Sequence, residues 1–149
     1  MNNWHNNHEI VKDIGLTLLT EGKTIRIKAH GYSMYPCIRP GSLILIEPLN
    51  IKGLPRPGEI IAIRREAGLI VHRLTKIINK NGAAYYIARG DSNAYADNPV
   101  KIEKIAGRIV RAESTGENPV VADIKVNTKP KYFVNRIRVI AILLLKKFN

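Results

Sequence analysis

The residues able to do chemistry lie in three short stretches: "HGYSMYP" (30–36), "IVHRL" (70–74) and "RGDSNAYADN" (89–98). Ser33 stands between a glycine and a proline, where a β-like run over 24–29 breaks before the apolar run 43–46 begins. A serine becomes nucleophilic only when a base takes its proton, and that base is normally oriented by a third group. His72 interrupts an apolar stretch that reads as strand, where an imidazole costs free energy unless it is hydrogen-bonded. Taken alone, His72 reads first as a core histidine bound to a backbone carbonyl. Asp91 and Asp97 follow in a Gly/Asn/Pro-rich loop, and either aspartate alone reads as an Asx turn.

The remaining reactive side chains fit bland roles better. His5 and His8 sit in an Asn-rich leader, and no cysteine or acid cluster completes a metal site around them. We therefore expect no metal and no cofactor. His30 is three residues from Ser33 across a tight turn, which places it poorly to meet that hydroxyl. Cys37 is the one cysteine of the chain, so no intrachain disulfide exists, and it reads as a small, partly buried thiol.

Taken together, the three stretches resemble the signature boxes of type I signal peptidases, a broader group that also includes the self-cleaving SOS repressors. The resemblance covers roughly residues 24–112 and rests on the order and spacing of the boxes. Most bacterial leader peptidases and the repressors use a serine–lysine dyad. Here His72-Arg73 stands at the corresponding place, which looks like the archaeal, endoplasmic-reticulum and sporulation-type branch that pairs Ser with His and Asp. The resemblance implies Ser33 as nucleophile, His72 as general base and Asp97 as the orienting carboxylate, with Asp91 in reserve. Gly90 and Asn93 match the same final box. It also implies that Gly31 lets the backbone approach a substrate and that the Ser33 amide donates to the oxyanion.

Three features depart from that pattern. Gly41-Ser42 and Gly58-Glu59 stand where the group often has Gly-Asp, and these are turn positions. Gly31 supplies no hydroxyl to an oxyanion hole. The start of the chain carries neither the basic, apolar pattern of a signal peptide nor a spanning anchor, so a cytoplasmic or membrane-peripheral protein is expected.

The elements that must position these residues are legible in the periodicity. Ile10, Val11, Ile14, Leu18 and Leu19 recur at helical spacing, predicting a helix over 8–21 that ends at Gly22. Strands are predicted over 24–29, 42–47, 59–65, 69–78, 84–89 and 105–112, with a weaker one near 120–126. Turn signals at Pro40-Gly41, Pro57-Gly58, Asn81-Gly82 and Gly116 to Pro119 separate them. Short strands so punctuated indicate a mainly β, antiparallel, folded-sheet or barrel-like domain. Residues 131–147 return to helical character. We expect one domain over 1–149: an N-terminal helix to residue 22, a catalytic β core over 23–127 and an amphipathic helix over 128–149.

The chain has 149 residues and a formal charge of +12, from 24 basic and 12 acidic side chains. That balance favours anionic partners. Nucleic acid is disfavoured, because aromatics are 6% of the chain and most are scattered, apart from Tyr85-Tyr86, so a base-stacking platform is lacking. The apolar run "VIAILLL" (139–145), flanked by Arg136, Arg138, Lys146 and Lys147, is too short to span a bilayer. Its basic flanks suit peripheral contact with an anionic membrane or a membrane protein. The expected function is a serine endopeptidase of the signal-peptidase type, cutting a peptide or preprotein after small residues. Its rivals are a non-catalytic or self-cleaving regulatory module and a basic β module binding nucleic acid or lipid. A self-cleaving repressor needs a DNA-binding domain and a cleavable bond before the nucleophile. Only about thirty residues precede Ser33, and Ala67-Gly68 lies after it.

Overall fold

The computed structural model describes residues 13–66, 68–114, 121–123 and 130–148. The first helix, α1, is described over 13–20; His5, His8 and the predicted helix start at 8–12 lie outside the described residues. Seven strands follow: β1 (Ile25–Lys28), β2 (Leu43–Glu47), β3 (Ile60–Arg65), β4 (Gly68–Lys80), β5 (Ala83–Arg89), β6 (Ile105–Glu113) and β7 (Val121–Asp123). A one-turn helix, α2 (Leu49–Lys52), and a 3-10 turn over Ile102–Lys104 interrupt them, and α3 (Tyr132–Phe148) closes the chain. The class is mainly β with a helix at each end, as the periodicity predicts. The weak strand near 120–126 is realised over its first residues, and 124–126 lie outside the described residues.

All pairings are antiparallel and run in the order β1-β2-β6-β3-β4-β5, with β7 added beside β6. The sheet is open: among the described residues no pairing joins β1 to β5. β1 shows why these residues take this form. Ile25 and Ile27 turn inward while Arg26 and Lys28 face water, the two-residue alternation of a half-buried edge strand.

β3 is different, because it is packed on both faces. Ile60 and Ala62 join one core with Leu19, Ile25, Met34, Ile38, Ile44, Ile46 and Ile109. Ile61 and Ile63 join a second core with Leu74, Tyr86, Ala88 and Val100. Each fully buried isoleucine contributes roughly 2–3 kcal/mol, so β3 is the rigid centre from which the neighbouring strands are aimed.

Two features of the topology set up the site. β4 is a long strand whose first half, Gly68 to Arg73, pairs with β3, and whose second half, from Arg73 onward, pairs with β5. Among the described residues, the edge of 68–72 opposite β3 therefore carries no strand, and β1, at the end of the sheet, has no strand on its outer side.

Candidate active site

Ser33 is carried by a tight turn between β1 and β2, directly over the first core. The turn is anchored from below by Met34 and Ile38, both buried, and closed by hydrogen bonds from Ile38 N–H to the Met34 carbonyl (2.9 Å) and Tyr35 N–H to the Tyr32 carbonyl (3.0 Å). Gly31 enters it at φ +79°, a left-handed conformation that L side chains adopt only with strain. The anchoring of Met34 and Ile38 leaves Ser33 half-buried.

The loop that follows β5 clamps this turn. Ser92 donates its N–H to the Ser33 carbonyl (2.9 Å) and its hydroxyl to the Tyr32 carbonyl (2.6 Å). Gly90 permits the close approach, since a Cβ there would lie 2.7 Å from the Ser33 carbonyl oxygen and 2.8 Å from the Asn93 side chain. Asp97 N–H donates to the Ala88 carbonyl at 2.8 Å, which returns the loop to β5 and fixes where the Asp97 carboxylate points.

That carboxylate meets His72, with Nδ1 and Oδ2 2.6 Å apart. His72 is buried and Asp97 half-buried. The contact holds Nδ1 against the carboxylate, so with that nitrogen as the donor Nε2 is the acceptor of the ring. Asp91 does something else. Both its oxygens accept from Arg73, from Nε at 2.9 Å and Nη2 at 2.7 Å, while Arg73 Nη1 donates to the Gly58 carbonyl at 2.8 Å. Burial alone would lower the Arg73 pKa; the hydrogen bonds and charge of Asp91 more than offset it, and the guanidinium is held above its ordinary value.

Ser33 and His72 line one cavity of about 550 Å³. Its apolar walls come from Ile25, Ile27 and Ala29 on one side, Leu69 and Val71 on the other, and Met34 at the floor. The two walls are the unpaired edges of β1 and of the first half of β4. His30 also lines this cavity but is exposed and faces no carboxylate partner among the described residues.

The structure thus brings Ser33 and His72 to one cavity and His72 to Asp97, and it places Asp91 with Arg73. Cys37 is a half-buried thiol packed against the first core, the place expected of a free cysteine. Burial pushes its pKa up, partly opposed by the Arg73 charge, so it is a poor thiolate. Sequence reasoning gave no role to Ser92. Its signal was its place between Asp91 and Asn93, inside a loop already under suspicion. Asn135 was also missed: it is buried on α3 and its Nδ2 donates to the Asp91 carbonyl at 3.0 Å, and no local pattern in a predicted amphipathic helix points to such a contact.

One antiparallel sheet thus carries a turn-mounted serine and, lining the same cavity, a carboxylate-bound histidine. A family model described as Peptidase S24-like matches residues 3–110. The match spans well over half of the chain, which therefore belongs to the Peptidase S24-like family. No curated protein matches the sequence. Among the described residues no helix is long and apolar enough to cross a membrane, and no cluster of three or more potential metal ligands occurs.

Proposed function

We propose that the protein is a serine endopeptidase that uses Ser33 as nucleophile, His72 as general base and Asp97 as the carboxylate that orients it, in the manner of the Ser-His-Asp signal-peptidase branch. The observation that carries this reading is the 2.6 Å contact of Asp97 with His72 Nδ1 on a residue that shares its cavity with Ser33. With Nδ1 engaged, Nε2 takes the hydroxyl proton as the Ser33 oxygen attacks the scissile carbonyl carbon. The same proton then passes to the leaving amine, the C–N bond breaks, and an acyl-serine remains. Water, deprotonated by His72, hydrolyses that ester and restores the serine.

The backbone amide of Ser33 is the natural donor to the developing oxyanion. Its peptide group is fixed from the other side, because the Tyr32 carbonyl of that group accepts from the Ser92 hydroxyl at 2.6 Å. A substrate peptide lies extended between the free edges of β1 and β4, adding its main-chain hydrogen bonds to both. Its side chains enter a cavity walled by isoleucine, leucine, valine and alanine, which suits small apolar residues before the cut, as in leader-like peptides.

The test is labelling with a fluorophosphonate serine-hydrolase probe, followed by assay on leader-like peptides with small residues before the cut. Labelling of the wild type that disappears in Ser33→Ala supports the assignment. Equal labelling or equal cleavage in Ser33→Ala overturns it.

A further inference from the structure

α3 has two faces with opposite characters. Tyr132, Asn135, Val139 and Ile142 are buried or half-buried, and their 3-4-3 spacing places them in one stripe turned toward the domain. That stripe is attached beside the site: Asn135 binds the Asp91 carbonyl, the Arg89 guanidinium stacks 3.6 Å over the Tyr132 ring, and Lys146 Nζ stands 5.5 Å above the Tyr32 ring. Arg89 in turn donates to the carbonyls of Asn93 and Ala94. The helix is thus fastened to the loop that carries Asp97 and to the neighbour of Ser33.

The opposite stripe is apolar and uncovered. Phe133, Ile137, Ile140 and Leu144 follow a 4-3-4 spacing and are 76%, 51%, 47% and 53% exposed. On a helical projection Arg136 and Lys147 border this stripe on one side, while on the other the exposed Val134 and Leu145 widen it before Arg138 is reached. Every charged side chain from Lys131 to Lys147 is cationic.

We propose that α3 is an interfacial docking element that lays its Phe133–Ile137–Ile140–Leu144 stripe into an anionic lipid surface. Charge selects this occupant. Pairing the stripe with a second copy of the chain would bring two wholly cationic helices together, in a molecule of net charge +12. An acidic headgroup layer neutralises the same flanks while the apolar stripe enters the acyl boundary. At 17 residues α3 lies in the surface and does not cross it. A helix is about 10 Å across with its side chains, so the lipid surface is held roughly that far from Tyr32 and the turn bearing Ser33. The inference stands on α3 alone and holds whether or not the site is catalytic.

The full chain is to be tested for co-sedimentation with vesicles of phosphatidylcholine alone and of phosphatidylcholine with phosphatidylglycerol. Each basic residue near an anionic surface is worth about fivefold in affinity, so binding should be more than tenfold tighter to the anionic vesicles and weaken steeply with salt. Ile137→Glu/Leu144→Glu should abolish binding and leave the melting temperature unchanged, since both side chains face water. Three results overturn the proposal. One is absence of binding to anionic vesicles at low salt. Another is binding undiminished in the double variant. The last is a large fall in the variant's melting temperature, or a wild-type dimer that the variant makes monomeric, because either shows the stripe covered by protein.

Discussion

His72 and Arg73, neighbours on β4, are each held by a different aspartate of one loop. Successive side chains of a strand point to opposite faces, so the pair reaches to two sides of the sheet at the point where β5 begins to pair. Residues 90–97 wrap that point and supply Asp91 to one side and Asp97 to the other. One carboxylate is placed for orientation and its companion for anchorage, and substitutions should separate the two.

Asp97→Asn should lower kcat by about three to four orders of magnitude while leaving thermal stability intact, as loss of an orienting carboxylate does in a triad. Asp91→Asn should instead strand the buried Arg73 charge and cost about 3–5 kcal/mol, read as a large drop in melting temperature. Kinetics and thermal melts on the two variants decide the matter. A stable, inactive Asp91→Asn beside a fully active Asp97→Asn would exchange their roles.

Ser33→Ala and His72→Ala should each abolish peptide cleavage, and the double variant should be no worse than either, because members of one catalytic unit fail together.

Ser92→Ala removes the hydroxyl that binds the Tyr32 and Ser33 carbonyls. Loss of such a bond destabilises by about 1 kcal/mol, but a misplaced nucleophile can cost on the order of a hundredfold in rate. Turnover should therefore fall far more than stability, with KM little changed. Equal losses in a melt and in kcat would make Ser92 a purely structural residue.

Gly90→Ala drives a methyl group against the Ser33 carbonyl oxygen and the Asn93 side chain. The loop must shift away from the turn, and overpacking of this kind costs roughly 1–3 kcal/mol. Activity should drop without any change in the chemistry-bearing groups themselves. Wild-type kinetics for this variant would show that the clamp is dispensable.

Cys37 supplies a pH test. Burial raises its pKa, so the thiolate is scarcer at neutral pH than in a free cysteine and becomes more abundant as pH rises. Alkylation by iodoacetamide should be slower than for a model thiol near neutrality and should accelerate into the alkaline range. Cys37→Ser should retain cleavage, and rapid modification at neutral pH with loss of activity would contradict the picture.

Much of the frame was legible because alternation and turn residues report directly on which face is wet. Ile25 and Ile27 against Arg26 and Lys28 define β1, and Asn81-Gly82 marks the hairpin between β4 and β5. α2 and the 3-10 turn at Ile102–Lys104 were not legible, since three or four residues carry no measurable period. The site was legible as a set of boxes, but not as a set of contacts. No spacing rule tells which of two carboxylates in an eight-residue loop faces a given side of a strand. Ser92 and Asn135 act through backbone carbonyls, which every residue possesses, so their partners leave no trace in residue type.

The proposed seating of a peptide along the edges of β1 and of 68–72, which carry no strand among the described residues, has a consequence for selectivity. A guest held by main-chain amides and carbonyls is gripped through groups that all peptides share, so much of the attraction is indifferent to sequence. Discrimination then falls to the few positions whose side chains enter the cavity between Ile25, Ile27, Leu69 and Val71. Such an enzyme would be strict at one or two places near the cut and permissive elsewhere. It would also demand a locally unfolded stretch, because a chain already committed to a helix or a sheet has no free ladder to offer.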